Sequence, residues 1–127
     1  MVERLGGRNW REPKKVDDTR KIDAGVLKLE SVREGDTHRL VLLGEFDIAG
    51  AEAYREEIER IEGAGAAKIL IDMSSLEFMD STGLRMLIET DMRSRQDSGR
   101  VRYTRPHGEV ARLLQLTRVD EKLDFVD

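Results

Sequence analysis

Four consecutive residues, Asp80-Ser81-Thr82-Gly83, gather an acid, two hydroxyls and a glycine where a polar loop gives way to an apolar, helix-periodic run. The plain reading is local: Asp80 is a preferred N-cap, Ser81 and Thr82 are tolerated in a first turn, and Gly83 lets the backbone pack closely. Gly83 strains that reading, because glycine lowers helix propensity by about 1 kcal/mol where the helix must nucleate. It suggests close approach by something else. The first amides of a helix lack internal partners and carry partial positive charge, so a phosphate on Ser81 would find donors. Yet Asp80 adjoins the site, and Asp47, in the loop after an earlier strand, is expected beside it. A phosphoserine adds roughly −1.5 to −2 charge units. The residues that accept such a modification would therefore register it as repulsion, which is the chemistry of a switch.

Other chemistries find little support. The chain has no cysteine, which excludes disulfides, thiolate metal sites and cysteine nucleophiles, and its two histidines, His38 and His107, lie far apart. No metal site and no bound cofactor are expected. Ser81 as a catalytic nucleophile would need a base, and no G-x-S-x-G elbow is present. Asp72 as an aspartyl-phosphate acceptor would need an acidic pair to hold magnesium and a lysine after a later strand; it reads more simply as a strand-end turn residue.

The 127 residues suffice for one compact domain with a real core. Residues 1–21 carry seven basic against four acidic residues, so of the net charge of −4 the remainder holds −7. An acidic body that is 5% aromatic argues against nucleic acid as a direct partner. The leader, with Gly6-Gly7, Pro13 and no apolar period, reads as a flexible basic arm in which Trp10 is the only anchor. Its deletion is expected to leave the core intact. No stretch approaches the roughly 20 apolar residues of a membrane span, and the N-terminus has charges where a signal peptide is apolar. A cytoplasmic location without membrane contact is expected.

The elements that must position the switch follow from periodicity. Leu27 and Leu29 alternate with Lys28 and Glu30 until Ser31 and Val32 break the pattern; a charged turn at Glu34-Gly35-Asp36 then joins this strand to "HRLVLLGEF" as a hairpin. Tyr54, Ile58 and Ile61 recur at helical spacing, and Gly63 with Gly65 ends that helix. "KILIDM" reads as a central strand covered on both faces. The Ser81 helix places Leu84, Leu87, Ile88 and Met92 on one side and fades at Asp97-Ser98-Gly99. "RVRYT" is a short strand, Pro106 suits the first turn of a helix with Val110, Leu113 and Leu114 buried, and "KLDFVD" closes as a last strand with Leu123 and Phe125 inward. The order β-β-α-β-α-β-α-β predicts an α/β fold, a mixed sheet of about five strands packed by three or more helices.

Three segments in order, "GEFDIAGAEAYREEI", "KILIDMSSLEFMDSTGL" and "GRVRYTRPHGEVARLLQLTRVDEKLDFVD", resemble the STAS-domain family, and within it the bacterial anti-sigma-factor antagonists. The resemblance runs from about Val26 to the end and implies a STAS domain over residues 22–127. It makes Ser81 the phosphorylated residue, with Thr82 a secondary acceptor, Asp80 the motif aspartate and Asp47 the acid of the family's G-E-L-D segment. It further implies that the dephosphorylated chain binds an anti-sigma factor that is also an ATP-dependent serine kinase, freeing the sigma factor. Phosphorylation ends that binding, a serine phosphatase restores it, and the chain itself catalyses nothing. Transcription regulation by partner switching, as in stress responses, is the implied role.

The chain departs from the family pattern at Arg85, where many relatives have glycine, and at "LTRV", Leu116 to Val119, in place of an L-T-G-L turn. Arg85 lies one turn into the switch helix, placed either to meet a partner or a phosphate or simply to be solvated. The rival within the same fold is a STAS subunit that is never phosphorylated and serves as a scaffold or sensor in a signalling or transport complex. Neither the kinase, the sigma factor nor the oligomeric state is legible in the sequence.

Overall fold

The computed structural model describes residues 19–97 and 99–126. Strands β1 (Thr19–Ala24), β2 (Leu27–Glu34) and β3 (Thr37–Phe46) form an antiparallel meander, and the turn predicted at Gly35 joins β2 to β3. Helix α1 (Ile48–Gly63) leads to β4 (Lys68–Asp72) and β5 (Leu76–Met79); α2 (Ser81–Gln96), β6 (Val101–Tyr103) and α3 (Gly108–Leu116) follow, and a 3-10 turn spans Val119–Glu121. The sheet runs β1-β2-β3-β4-β6. β3 is long enough to take two parallel neighbours on one side. Thr37–Val41 pairs with β4, and Gly44–Phe46 pairs with β5 after a register shift at Gly44/Glu45.

Alternation decides which face is buried. Leu27, Leu29, Leu40, Leu42, Ile69, Ile71, Val101 and Tyr103 all lie inward and are covered by the helices, which contribute Tyr54, Ile58, Ile61, Leu84 and Leu87. Tyr54 Oη and Thr90 Oγ1, 2.7 Å apart, tie α1 to α2 inside this core.

The mixed α/β sheet stands as expected, with six strands instead of about five. β5 went unrecognised because it follows β4 after a turn of only three residues. β1 reaches back to Thr19, so the arm assigned to residues 1–21 ends too late: Thr19, Arg20 and Lys21 pair with Val32, Ser31 and Glu30. Residues 1–18, including Trp10, lie outside the described residues. The closing strand is reduced to a single bridge between Phe125 and Tyr103. Pro106 precedes α3 and its N-cap His107 without entering the first turn. β4 is fully covered on its helix-side face and only partly on the other, where Leu70 is half-buried and Asp72 buried, and Met92 is exposed, the inner positions of α2 beyond Leu87 being Thr90, Asp91 and Ser94.

The apparent break in alternation at Ser31 has a cause. Ser31 is fully buried with its Oγ 2.7 Å from His38 Nε2, and Arg60 donates to the same hydroxyl at 3.3 Å. Beside it the buried Glu57 pairs with Arg60 at 2.6 Å and with Arg20 of β1 at 3.3 Å. An inward polar position is thus kept because its partners are present.

Asp72 anchors the opposite face of the sheet. Its carboxylate accepts from Arg39 Nη2 at 2.5 Å, from the amide and hydroxyl of Ser74 at 2.9 and 2.6 Å, and from Thr104 Oγ1 at 3.0 Å. Burial alone would raise its pKa, but the bonds from Ser74, Arg39 and Thr104 outweigh burial and hold it down at about 2. A carboxyl whose folded pKa lies below its ordinary 3.8 stabilises the fold above that value and loses the contribution as pH falls toward 2. Asp72→Ala is therefore expected to cost about 2–4 kcal/mol at neutral pH. In urea unfolding the gap to wild type should narrow below about pH 4; a gap that is constant down to pH 2 would contradict this role.

Candidate functional site

Helix α2 begins at Ser81. Its N-cap Asp80 has extended backbone and accepts from the amides of Thr82 at 2.9 Å and Gly83 at 3.1 Å, while the Leu84 amide bonds the Asp80 carbonyl at 3.0 Å. Two of the first-turn donors expected to await a phosphate are thus already engaged by a carboxylate. The helix mouth is a capped helix start, with any added anion competing against Asp80 for the amides.

Gly83 is explained from within. A Cβ there would lie 2.5 Å from the carbonyl oxygen of Phe46 and 2.9 Å from Met79 Cγ and Phe46 Cγ. The close approach that the glycine implies is made by the chain's own β3 and β5.

The same four-residue pattern opens α1, where Asp47-Ile48-Ala49-Gly50 has Asp47 as N-cap, accepting from the Ala49 amide at 3.0 Å. A Cβ on Gly50 would lie 2.6 Å from Leu27 Cδ2. The two mouths are neighbours: Phe46 and Met79 are register partners, each is followed by its helix-capping aspartate, and the Asp80 amide donates to the Phe46 carbonyl at 3.2 Å. Adjacent strands lie about 4.8 Å apart, so Asp47 and Asp80 stand side by side as the sequence led us to expect. Asp and Gly are needed at both mouths for capping and packing. The hydroxyls of Ser81 and Thr82 occur at one mouth only, where the other has Ile48 and Ala49, so capping does not account for them.

Accessibility separates the two hydroxyl residues, for Ser81 is exposed and Thr82 half-buried. Arg85, one turn on from Ser81, is exposed and has Glu89 at 3.9 Å as its ion-pair partner. Two exposed apolar residues were not singled out from the sequence: Ile48, 75% exposed at the first position of α1 and so at the mouth beside that of α2, and Phe78, 44% exposed in β5. Ile48 falls outside the Tyr54, Ile58, Ile61 stripe, which is the signal that would have marked it as outward. Phe78 had none, because its strand was not recognised.

The arrangement presents an exposed hydroxyl at the start of α2, directly after one of two adjacent helix-capping carboxylates. His38 lies eight residues before Phe46, toward the other end of β3, and faces Ser31. Among the described residues no group of three or more His, Cys, Asp or Glu is placed to hold a metal ion, and no helix is long and apolar enough to cross a membrane.

A family model described as Mlab, STAS domain, matches residues 29–126. Among solved structures, an anti-sigma factor antagonist from Mycobacterium paratuberculosis superposes with a TM-score of 0.70 at 20% identity, covering 84% of this chain and 89% of that one. The anti-sigma factor antagonist SpoIIAA in its unphosphorylated form gives 0.64 at 24% identity, covering 80% and 88%. The Bacillus cell fate determinant SpoIIAA in its phosphorylated form gives 0.59 at 22% identity, covering 80% and 91%. At such identities the likeness establishes a shared fold.

Proposed function

The chain belongs to the STAS-domain family, and from that premise we propose that it is an anti-sigma-factor antagonist, a binding protein whose grip on its partner is switched by phosphorylation of Ser81. The observation that carries the reading is the asymmetry of the two helix mouths. Both have the capping aspartate and the packing glycine, and only α2 adds an exposed hydroxyl. The solved relatives named as antagonists, one of them known in unphosphorylated and phosphorylated forms, support the role.

In this reading the unphosphorylated surface around Ser81, with Ile48 as an apolar contact, binds an anti-sigma factor with serine kinase activity and so releases the sigma factor. The partner transfers the terminal phosphoryl group of ATP to Ser81 Oγ. The Oγ–P bond forms as the bond to the ADP oxygen breaks, and the hydroxyl proton passes to a base of the kinase. The new phosphate stands beside Asp80 and Asp47, whose like charge opposes it at a desolvated interface at a cost of several kcal/mol. Each 1.4 kcal/mol is about tenfold in affinity, so a partner held at micromolar strength is released. A serine phosphatase then hydrolyses the ester and restores binding. Arg85, one turn along the same face, is placed to meet either the partner or the phosphate. The chain contributes no catalytic group and works where its partners do, in the cytoplasm.

Affinity capture from the host's own lysate tests the reading, with wild type compared against Ser81→Glu and retained proteins identified by mass spectrometry. Recovery of a small ATP-binding kinase by wild type alone is the expected result. Equal recovery of the same non-kinase proteins by both baits would replace the switch with a scaffold.

A further inference from the structure

The edge of the sheet farthest from Ser81 carries a pattern of its own. Among the described residues β1 pairs only with β2, so its outer row of backbone donors and acceptors is unpartnered, the arrangement that invites another strand. No proline and no bulge blunts it. Its outer-face side chains are Thr19, Lys21 and Asp23, and its helix-side residues are Arg20, Ile22 and Ala24, the last two packed against the core. Asp23 pairs with Lys28 at 2.8 Å yet remains 73% exposed, and among the described residues Lys21 has no ion-pair partner.

We propose that β1 is a self-association edge, at which a second copy of this chain adds its own β1 antiparallel with Ile22 opposite Ile22. A two-fold axis perpendicular to the sheet keeps opposed residues on the same face, so only registers centred on a residue are allowed. Centring on Ile22 sets Lys21 against Asp23 of the second copy, twice over, and Arg20 against Ala24. Centring on Lys21 sets lysine against lysine; centring on Asp23 sets aspartate against aspartate. Centring on Arg20 sets arginine against arginine, so among the registers that pair three or more residues of β1 only the one centred on Ile22 is free of opposed like charges, and it also joins the two half-buried Ile22 side chains on the helix side. A hollow of about 190 Å³ lined by Arg20, Ile22, Ala53, Glu56, Glu57 and Arg60 borders the same edge and gives the second strand room on that side. A ladder of about five residues buries less than the roughly 1,200 Å² of a stable complex, so the dimer is concentration-dependent, with a Kd between about 1 µM and 1 mM. The edge is remote from β5 and α2, so each dimer displays two open Ser81 sites, and the inference does not depend on how Ser81 is used.

Sedimentation equilibrium of the full chain from about 10 µM to 1 mM tests it. Wild type should dimerise, Lys21→Asp and Asp23→Lys should each weaken self-association about tenfold or more, and an equimolar mixture of the two variants should associate again, because each supplies the charge the other lost. A wild type that is monomeric throughout would overturn the proposal. So would single reversals that leave the dimer unchanged, or a mixture no stronger than its components.

Discussion

Replacing Ser81 with alanine should abolish phosphate incorporation by the partner kinase while leaving the unphosphorylated complex intact. The substitution removes one exposed Oγ at the first position of α2, and alanine is a better helix former than serine there. Asp80 keeps both of its amide bonds, which go to Thr82 and Gly83 and not to the serine. Fold and binding surface therefore survive, and only the acceptor is lost. Ser81→Glu should instead weaken binding, though less than phosphorylation does, since one carboxylate carries about half the charge of a phosphate. The check is incorporation of labelled phosphate from ATP, with complex formation measured in parallel. Label persisting on Ser81→Ala at the wild-type rate would move the acceptor to the half-buried Thr82 or elsewhere.

Gly83→Ala should destabilise the domain although it places a better helix former in a helix. The propensity gain is about 1 kcal/mol. Against it stands a Cβ 2.5 Å from a backbone oxygen that is itself the acceptor of the Asp80 amide, and 2.9 Å from two buried side chains. A backbone carbonyl cannot swing aside as a side-chain tip can, so α2 must move off β3 and β5. Overpacking of this kind costs typically 1–3 kcal/mol and occasionally more. We expect a net loss of up to about 2 kcal/mol, a fall in Tm of up to roughly 8 °C, together with slower phosphorylation because Ser81 rides on the displaced turn. Thermal unfolding that matches or exceeds wild type would show that the helix start packs more loosely than these distances allow.

The inward faces of β2, β3 and α1 were legible because their period is strict. Leu27, Leu29, Tyr54, Ile58 and Ile61 all lie where alternation or helical spacing put them. Legibility failed where polar residues do structural work. Ser31 looked like an interruption because its partners His38 and Arg60 come from other elements, and β1 was lost in a charged leader because the partner of Arg20, the buried Glu57, lies 37 residues on, in α1. At the candidate site the sequence pointed to Asp80, Ser81 and Asp47 together, and their neighbourhood followed once β3 and β5 were seen to pair. What it left open was the meaning of Gly83, since a glycine that makes room for Phe46 and one that makes room for a ligand look alike until the strand ends are placed.

The most direct measurement is the affinity of the purified chain for its ATP-binding partner, by calorimetry, before and after stoichiometric phosphorylation of Ser81. A loss of about 100-fold or more, corresponding to roughly 3 kcal/mol of like-charge and desolvation cost at the interface, is what the switch requires. Equal affinity of the two forms would contradict it, and would leave Ser81 an exposed hydroxyl on a scaffold that binds without being switched.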